Sequence, residues 1–129
     1  MATGISAYLA NKLLDEVCRN VNYVPPAVVY FQAHTGDPGA AMTANVAANT
    51  TRVAVTFAQA ASGQIAINNA PEHVLGAAQN ITHGSFWDAQ APGTGNPLWS
   101  AQASVAKGGT AGDIIRVSTG SLALGPLAA

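Results

Sequence analysis

The chain opens on a helical pattern of apolar positions and then changes to a strand-like one. Ile5, Leu9, Leu13 and Val17 recur every four residues, with Leu14 and Val21 alongside, and no Gly or Pro interrupts Ala7 to Asn20. Ser6 stands where an N-cap belongs, so the pattern predicts a helix over 6–20 with one apolar stripe. Asn11, Lys12, Asp15, Glu16 and Arg19 fall mostly off that stripe. Lys12 with Glu16, and Asp15 with Arg19, are spaced to pair on the surface, each worth only about 0.2–0.5 kcal/mol. The helix must therefore be held by packing its stripe against something else. Pro25-Pro26 then forces an extended chain.

Strand signals follow. Ala27 to His34 is rich in β-branched and aromatic residues and runs into the turn cluster Thr35-Gly36-Asp37-Pro38-Gly39. Ala40 to Thr51 is small, polar and aperiodic, which predicts a loop. Arg52 to Ala58 alternates, with Val53, Val55 and Phe57 facing one way and Arg52, Ala54 and Thr56 the other. Short strands are expected at Gln64 to Asn68 and, weakened by Pro71, at Ala70 to Leu75. Asn80 to Asp88 reads as a strand with Ile81, His83, Ser85 and Trp87 on one face. Pro97 to Ser104, Ile114 to Ser118 and Ser121 to Leu124 complete the set, with turns at Ala89 to Asn96 and from Lys107-Gly108-Gly109 to Asp113. Strands about every ten residues with turns between them predict a mainly β chain. The expected architecture is an antiparallel β-sandwich or jelly-roll-like barrel over 27–124, with one N-terminal amphipathic helix capping an end or edge. A length of 129 residues and the lack of any linker or fixed repeat make 1–129 one domain.

Composition narrows the function. Charged residues are 9% of the chain, against roughly 25% in ordinary soluble domains, and 27 residues are alanine. A lone monomer with so neutral a surface has weak colloidal protection, which points to a protein that works inside an assembly. Five scattered basic residues make no electrostatic footprint for nucleic acid, and no apolar run reaches the length of a membrane span. Residues 1–5 carry no signal-peptide pattern. Cys18 is a single cysteine, which excludes an intrachain disulfide or a CxxC motif and reads as a small buried residue of the helix.

Little in the sequence points to catalysis. His34 lies near Asp37 and His83 lies five residues before Asp88, but with His73 they match no metal-ligand spacing. Asp37-Pro38-Gly39 lacks the Lys-Ser/Thr pair of a phosphate loop, and Lys107-Gly108-Gly109 lacks GxGxxG spacing. Ser85, Ser100 and Ser118 sit in no GxSxG elbow, and the six carboxylates form no dyad. No catalytic, cofactor-binding or metal-binding residue is expected, nor any cofactor. Trp87 and Trp99 are the largest apolar groups; each belongs in the core or, alternatively, on a surface platform that stacks against a sugar ring. Lying on successive strands, they are expected to meet across the strand pair.

The order of these motifs resembles a family of small tailed-phage virion proteins, best populated in phages of actinobacteria and customarily labelled tail-fibre proteins. AYLANKLLDEVCRNVNYVPPAVVYFQAHTGDPG is similar to the family's opening, with matches at Tyr8, Asn11 to Asp15, Arg19, Asn20, Pro25, Pro26, Tyr30 and His34 to Gly39. RVAVTFAQAASGQIAIN, ITHGSFWDAQAPGTGNPLWSAQAS and GDIIRVSTGSLAL resemble its later segments in the same order, although Ser85-Phe86 stands where a Gly-aliphatic pair is usual. The resemblance implies a non-enzymatic structural protein of the virion, made in the host cytoplasm. Its expected partners are further copies of itself, as a trimer, and the major capsid protein or tail proteins. The absence of a repeating shaft, the low charge and the small-residue loops favour a capsid accessory or decoration subunit that stabilises the head lattice. A tail-associated short fibre or tip subunit that contacts the host is the alternative, and a carbohydrate-binding β-sandwich module is a further one.

Overall fold

The computed structural model describes residues 3–124; the ends of the expected 1–129 domain, residues 1–2 and 125–129, lie outside the described residues. The chain is mainly β, with antiparallel sheets and one N-terminal helix, as the pattern predicts. Helix α1 spans Ala7–Arg19. The Ser6 hydroxyl oxygen accepts from the Leu9 N–H at 3.1 Å, and the hydroxyl donates to the Pro97 carbonyl at 2.6 Å. One side chain thus caps the helix and ties it to the sheet. Asn20, left-handed at φ 57°, ends the helix, and the Val21 N–H reaches back to the Asp15 carbonyl at 3.1 Å.

The expected single stripe divides in two. A step of four residues at 100° per residue drifts by about 40°, so Val17 lies about 120° around the helix from Ile5. Leu9 is buried, and Ile5, Tyr8 and Leu13 pack against the core, whereas Leu14, Val17 and Val21 are 61%, 81% and 45% exposed. Cys18, expected to be buried, is exposed for the same reason. Asp15 and Arg19 pair at 3.3 Å as their spacing predicts. Lys12 instead lies 5.7 Å from the Tyr8 ring centroid, and Glu16 accepts from the Tyr23 N–H at 3.0 Å.

The strands are β1 (Val29–His34), β2 (Val53–Val55), β3 (Gln64–Ala66), β4 (Glu72–Val74), β5 (Gln79–Trp87), β6 (Pro97–Gly109), β7 (Ile114–Arg116) and β8 (Ser121–Ala123). One antiparallel sheet has the order β2-β1-β5-β6; β3 pairs with β8 and β4 with β7. The registers show that these pairs belong to one long hairpin. Residues 64–87 run out and 97–123 run back, and the register drifts by only one residue from Gln64↔Ala123 to Gln79↔Gly109. Bonds from Ile67 N–H to Gly120 O and from Val117 N–H to Pro71 O bridge the gaps between the strands. Pro71 therefore costs no ladder bond there, because its carbonyl is the group in use. The far end of the hairpin returns to the chain after β2 through the bridge Phe57↔Ile67.

A register break separates the two ends of β5. Ile81 pairs with Lys107 and His83 with Gln102, so Ala103 to Ala106 stand opposite Thr82 alone. Ile81 consequently joins the core cluster with Phe31 and Phe86, and the expected common face of Ile81, His83, Ser85 and Trp87 does not form. Lys107-Gly108-Gly109, expected in a turn, continues β6; the turn begins at Thr110, whose N–H donates to the Asp113 carboxylate at 2.8 Å.

The core lies on the Phe86 face of the four-stranded sheet. Trp99 pairs with Phe86 across β5 and β6, the rings stacked at 4.5 Å and 17°. Phe57 leans on Trp99 with ring centroids 5.6 Å apart, and Phe31 meets Phe86 edge-on at 5.6 Å. Gly84 makes room for Phe31, because a Cβ there would run into its ring. Leu9, Val55, Leu75, Ile81 and Leu98 fill around these rings, and Ile67, Ile115, Val117 and Leu122 of the hairpin's far end pack against them.

Candidate functional site

The other face of the sheet carries a buried polar chain. Antiparallel pairing sets Gln32 opposite Ser85 and His34 opposite His83, and alternation puts Trp87 on the same side as Ser85. The Trp87 indole N–H donates to Ser85 Oγ at 2.7 Å. Ser85 Oγ lies 2.7 Å from His34 Nε2, and His34 Nδ1 lies 2.8 Å from the Ala44 carbonyl. A carbonyl only accepts, so Nδ1 carries the ring proton and Nε2 accepts from the Ser85 hydroxyl. The direction is Trp87 to Ser85 to His34 to Ala44, every group used once. Ser85 and His34 are both 0% exposed, so this serine–histidine pair is closed to substrate and joins β5, β1 and the loop after β1.

Arg52 completes the face. Its guanidinium lies 4.0 Å over the Trp87 ring and donates to the carbonyls of Ala89 and Thr94 at 2.8 and 2.9 Å. Burial pulls its pKa below the usual arginine value, and the nearby Asp88 carboxylate opposes that. Alternation placed Arg52 on the side opposite Val53, Val55 and Phe57; there it is 3% exposed and clamps the 89–96 loop. The signal that could have marked it is an isolated arginine beside a loop poor in charge. Asp88 shapes the same loop by accepting from the Asn96 N–H at 2.7 Å.

Burial, the dominant cause, lowers the pKa of His34, assisted by His83 and Arg52 and opposed by the Ala44 hydrogen bond. Burial alone lowers that of His73, which is 2% exposed and whose Nε2 has no partner among the described residues. In the unfolded chain both rings protonate near pH 6.5. Below that pH, and down to their folded values, the unfolded state binds more protons. Their contribution is complete above about pH 6.5 and is lost as pH falls. Melting temperature should therefore drop between about pH 7 and 5, and His73→Met should flatten part of the drop. A parent protein whose midpoint is level across that range would contradict the assignment.

Among the described residues no group of three or more His, Cys, Asp or Glu could hold a metal ion. His83 Nδ1 lies 2.8 Å from its neighbour's hydroxyl, Thr82 Oγ1, and Asp37 Oδ1 accepts from the Gly39 N–H at 2.8 Å within its own turn. A cleft of about 570 Å³, lined by Phe31, Ile81, His83, Phe86, Val105 and Lys107 among others, opens between β5–β6 and the far end of the hairpin. Trp87 and Trp99 are 5% and 6% exposed, so neither offers a sugar-stacking platform. Nor do they meet across the strands: Trp87 stands opposite Pro97, and Trp99 opposite Phe86. No helix among the described residues is long and apolar enough to cross a membrane.

What the surface does present is apolar. Leu14, Val17, Val21, Val24 and Val28 are all exposed, along α1 and the segment that leads to β1. A second exposed pair, Val74 and Ile114, faces out from the β4–β7 ladder. Such surface suits contact with other subunits better than it suits chemistry on a small molecule.

Residues 4–125 match the family model described as Podophage GP4 fiber I protein gp80. The chain belongs to that family. No individually curated protein matches it. Membership supports a structural phage virion protein of the fibre type, in agreement with the virion resemblance read from the motifs. It does not support the narrower actinobacteriophage family named with them. The matched stretch takes in both features just described, the buried His34–Ser85–Trp87 chain and the exposed face of α1.

Proposed function

We propose that this protein is a non-enzymatic fibre subunit of the virion of a tailed phage, carried on the tail, where it assembles with copies of itself and with tail proteins. The observation that carries this reading is the fibre-family match over residues 4–125. The physical picture agrees with it. The Ser85–His34 pair is sealed, both tryptophans are interior, and most of the exposed large apolar groups lie along α1, the segment after it and the β4–β7 pair. A charged content of 9% suits broad contacts between subunits.

Purified particles should contain the protein at a small copy number relative to the major capsid protein, measured by quantitative mass spectrometry. Immunogold label should sit at the tail. Copies in proportion to the capsid subunits, with label over the head, would instead favour a capsid decoration subunit that stabilises the head lattice. Recovery from infected-cell lysate but not from particles would remove the virion reading altogether.

A further inference from the structure

The exposed side of α1 has a spacing of its own. Ala7, Ala10, Leu14 and Val17 follow one another by three, four and three residues, and Val21 comes four later, just past the cap. This is the alternating three-four spacing of a coiled-coil seam, distinct from the four-four spacing of Ile5, Leu9 and Leu13 that faces the core. Leu14 and Val17 are large and exposed, and Ala7 and Ala10 are small enough for a second backbone to approach closely. We propose that this seam is a self-association surface, covered in the assembled protein by α1 of a second copy of this chain.

The distribution of charge points to a copy as the occupant. With Ala7 and Leu14 in one kind of seam position and Ala10 and Val17 in the other, the flanking residues within the helix are Asn11, Leu13 and Cys18, none of them charged. Lys12, Asp15, Glu16 and Arg19 all lie away from the seam, and Asp15 and Arg19 already pair within the chain. A symmetric assembly sets each seam against an identical one, and like charges there would oppose association. This seam has none, so it is complementary to itself. Two heptads are too few to hold helices together alone. The seam therefore works with the β body, to which Ser6 anchors each helix through the Pro97 carbonyl. The proposal rests on the fibre-subunit reading only in supposing that copies assemble, and not on their place in the particle.

The test is sedimentation velocity of the full-length protein across a concentration series. The parent should form a defined oligomer. Leu14→Asp combined with Val17→Asp should weaken it by about tenfold or more, with the parent's circular dichroism unchanged and, at dilutions where the parent is dissociated, the parent's melting temperature unchanged. Leu9→Asp, on the buried stripe, should unfold the monomer and so separate the two faces. Cys18, beside the seam, should give covalent dimers with a short bis-maleimide in the parent but not in the double variant. A parent that is monomeric throughout, or a double variant that assembles like the parent, would overturn the proposal. So would a double variant that melts earlier than the parent at dilutions where the parent is dissociated, since the face would then be buried within the chain. If the parent is monomeric alone and the double variant drops out of particles, another virion protein covers the face and the self-association reading fails. Tail or head labelling of particles reports on the fibre reading separately.

Discussion

Trp99→Ala should destabilise the protein by about 3–5 kcal/mol, the usual cost of emptying a buried aromatic site. For a domain of this length that corresponds to a drop of very roughly 10–20 °C in melting temperature. Trp99 is stacked on Phe86, touched by Phe57 and 6% exposed, so its removal opens a cavity bounded by two rings that cannot both close over it. The bridge from Trp99 to Ile5 brings the N-terminal segment to the same place, so the loss should also loosen the attachment of α1. Thermal melts followed by far-ultraviolet circular dichroism would measure both, since the helix contributes its own signal. A midpoint within a few degrees of the parent would show that the stack does not organise the core.

The second large effect is expected at Ser85. Its hydroxyl accepts from Trp87 and donates to His34, and all three residues are buried. Ser85→Ala removes one oxygen and strands two groups, an indole N–H and an imidazole nitrogen, where water cannot replace it. Leaving a buried polar group unsatisfied costs about 1–3 kcal/mol, so the pair should cost about 2–4 kcal/mol. Ser100→Ala is the control. Ser100 is nearly as buried, but among the described residues its Oγ accepts only from the Gly4 N–H, at 3.3 Å, and its loss should cost about 1 kcal/mol or less. Urea titrations of the two variants would compare them directly. Equal losses would mean that the Trp87–Ser85–His34 chain is no stronger than an ordinary peripheral hydrogen bond.

Much of the fold was legible because its signals are local. Ser6 as cap, the Gly- and Pro-free run after it and the alternation around Val53 and Val55 each depend on a few neighbouring residues. Each appears in the structure close to where the pattern placed it. The turn cluster after His34 is of the same kind. The expectation of an assembly rests on the scarcity of charge, a property of the whole chain that needs no coordinates. Family resemblance carried the virion reading, and the match over residues 4–125 supports the fibre reading, where the missing shaft, the low charge and the small-residue loops had favoured the head.

The sequence by itself thus determined the element types, the N-terminal helix and the mainly β class. Only the tertiary structure decided which surfaces face which. The break opposite Thr82 turns Ile81 into the core, and the register sets Trp99 on Phe86 rather than on Trp87. The same pairing brings Ser85 to His34 across the sheet and leaves Arg52 buried over Trp87. It also leaves Leu14 and Val17 in solvent while Leu9 is buried, because a helix resting on one edge strand can cover only one side. The physical reason is common to all of these. Capping, turns and periodicity act over a few residues, whereas burial depends on strand partners as far apart in sequence as His34 and Ser85, whose alignment shifts by a whole face when a strand slips by one residue.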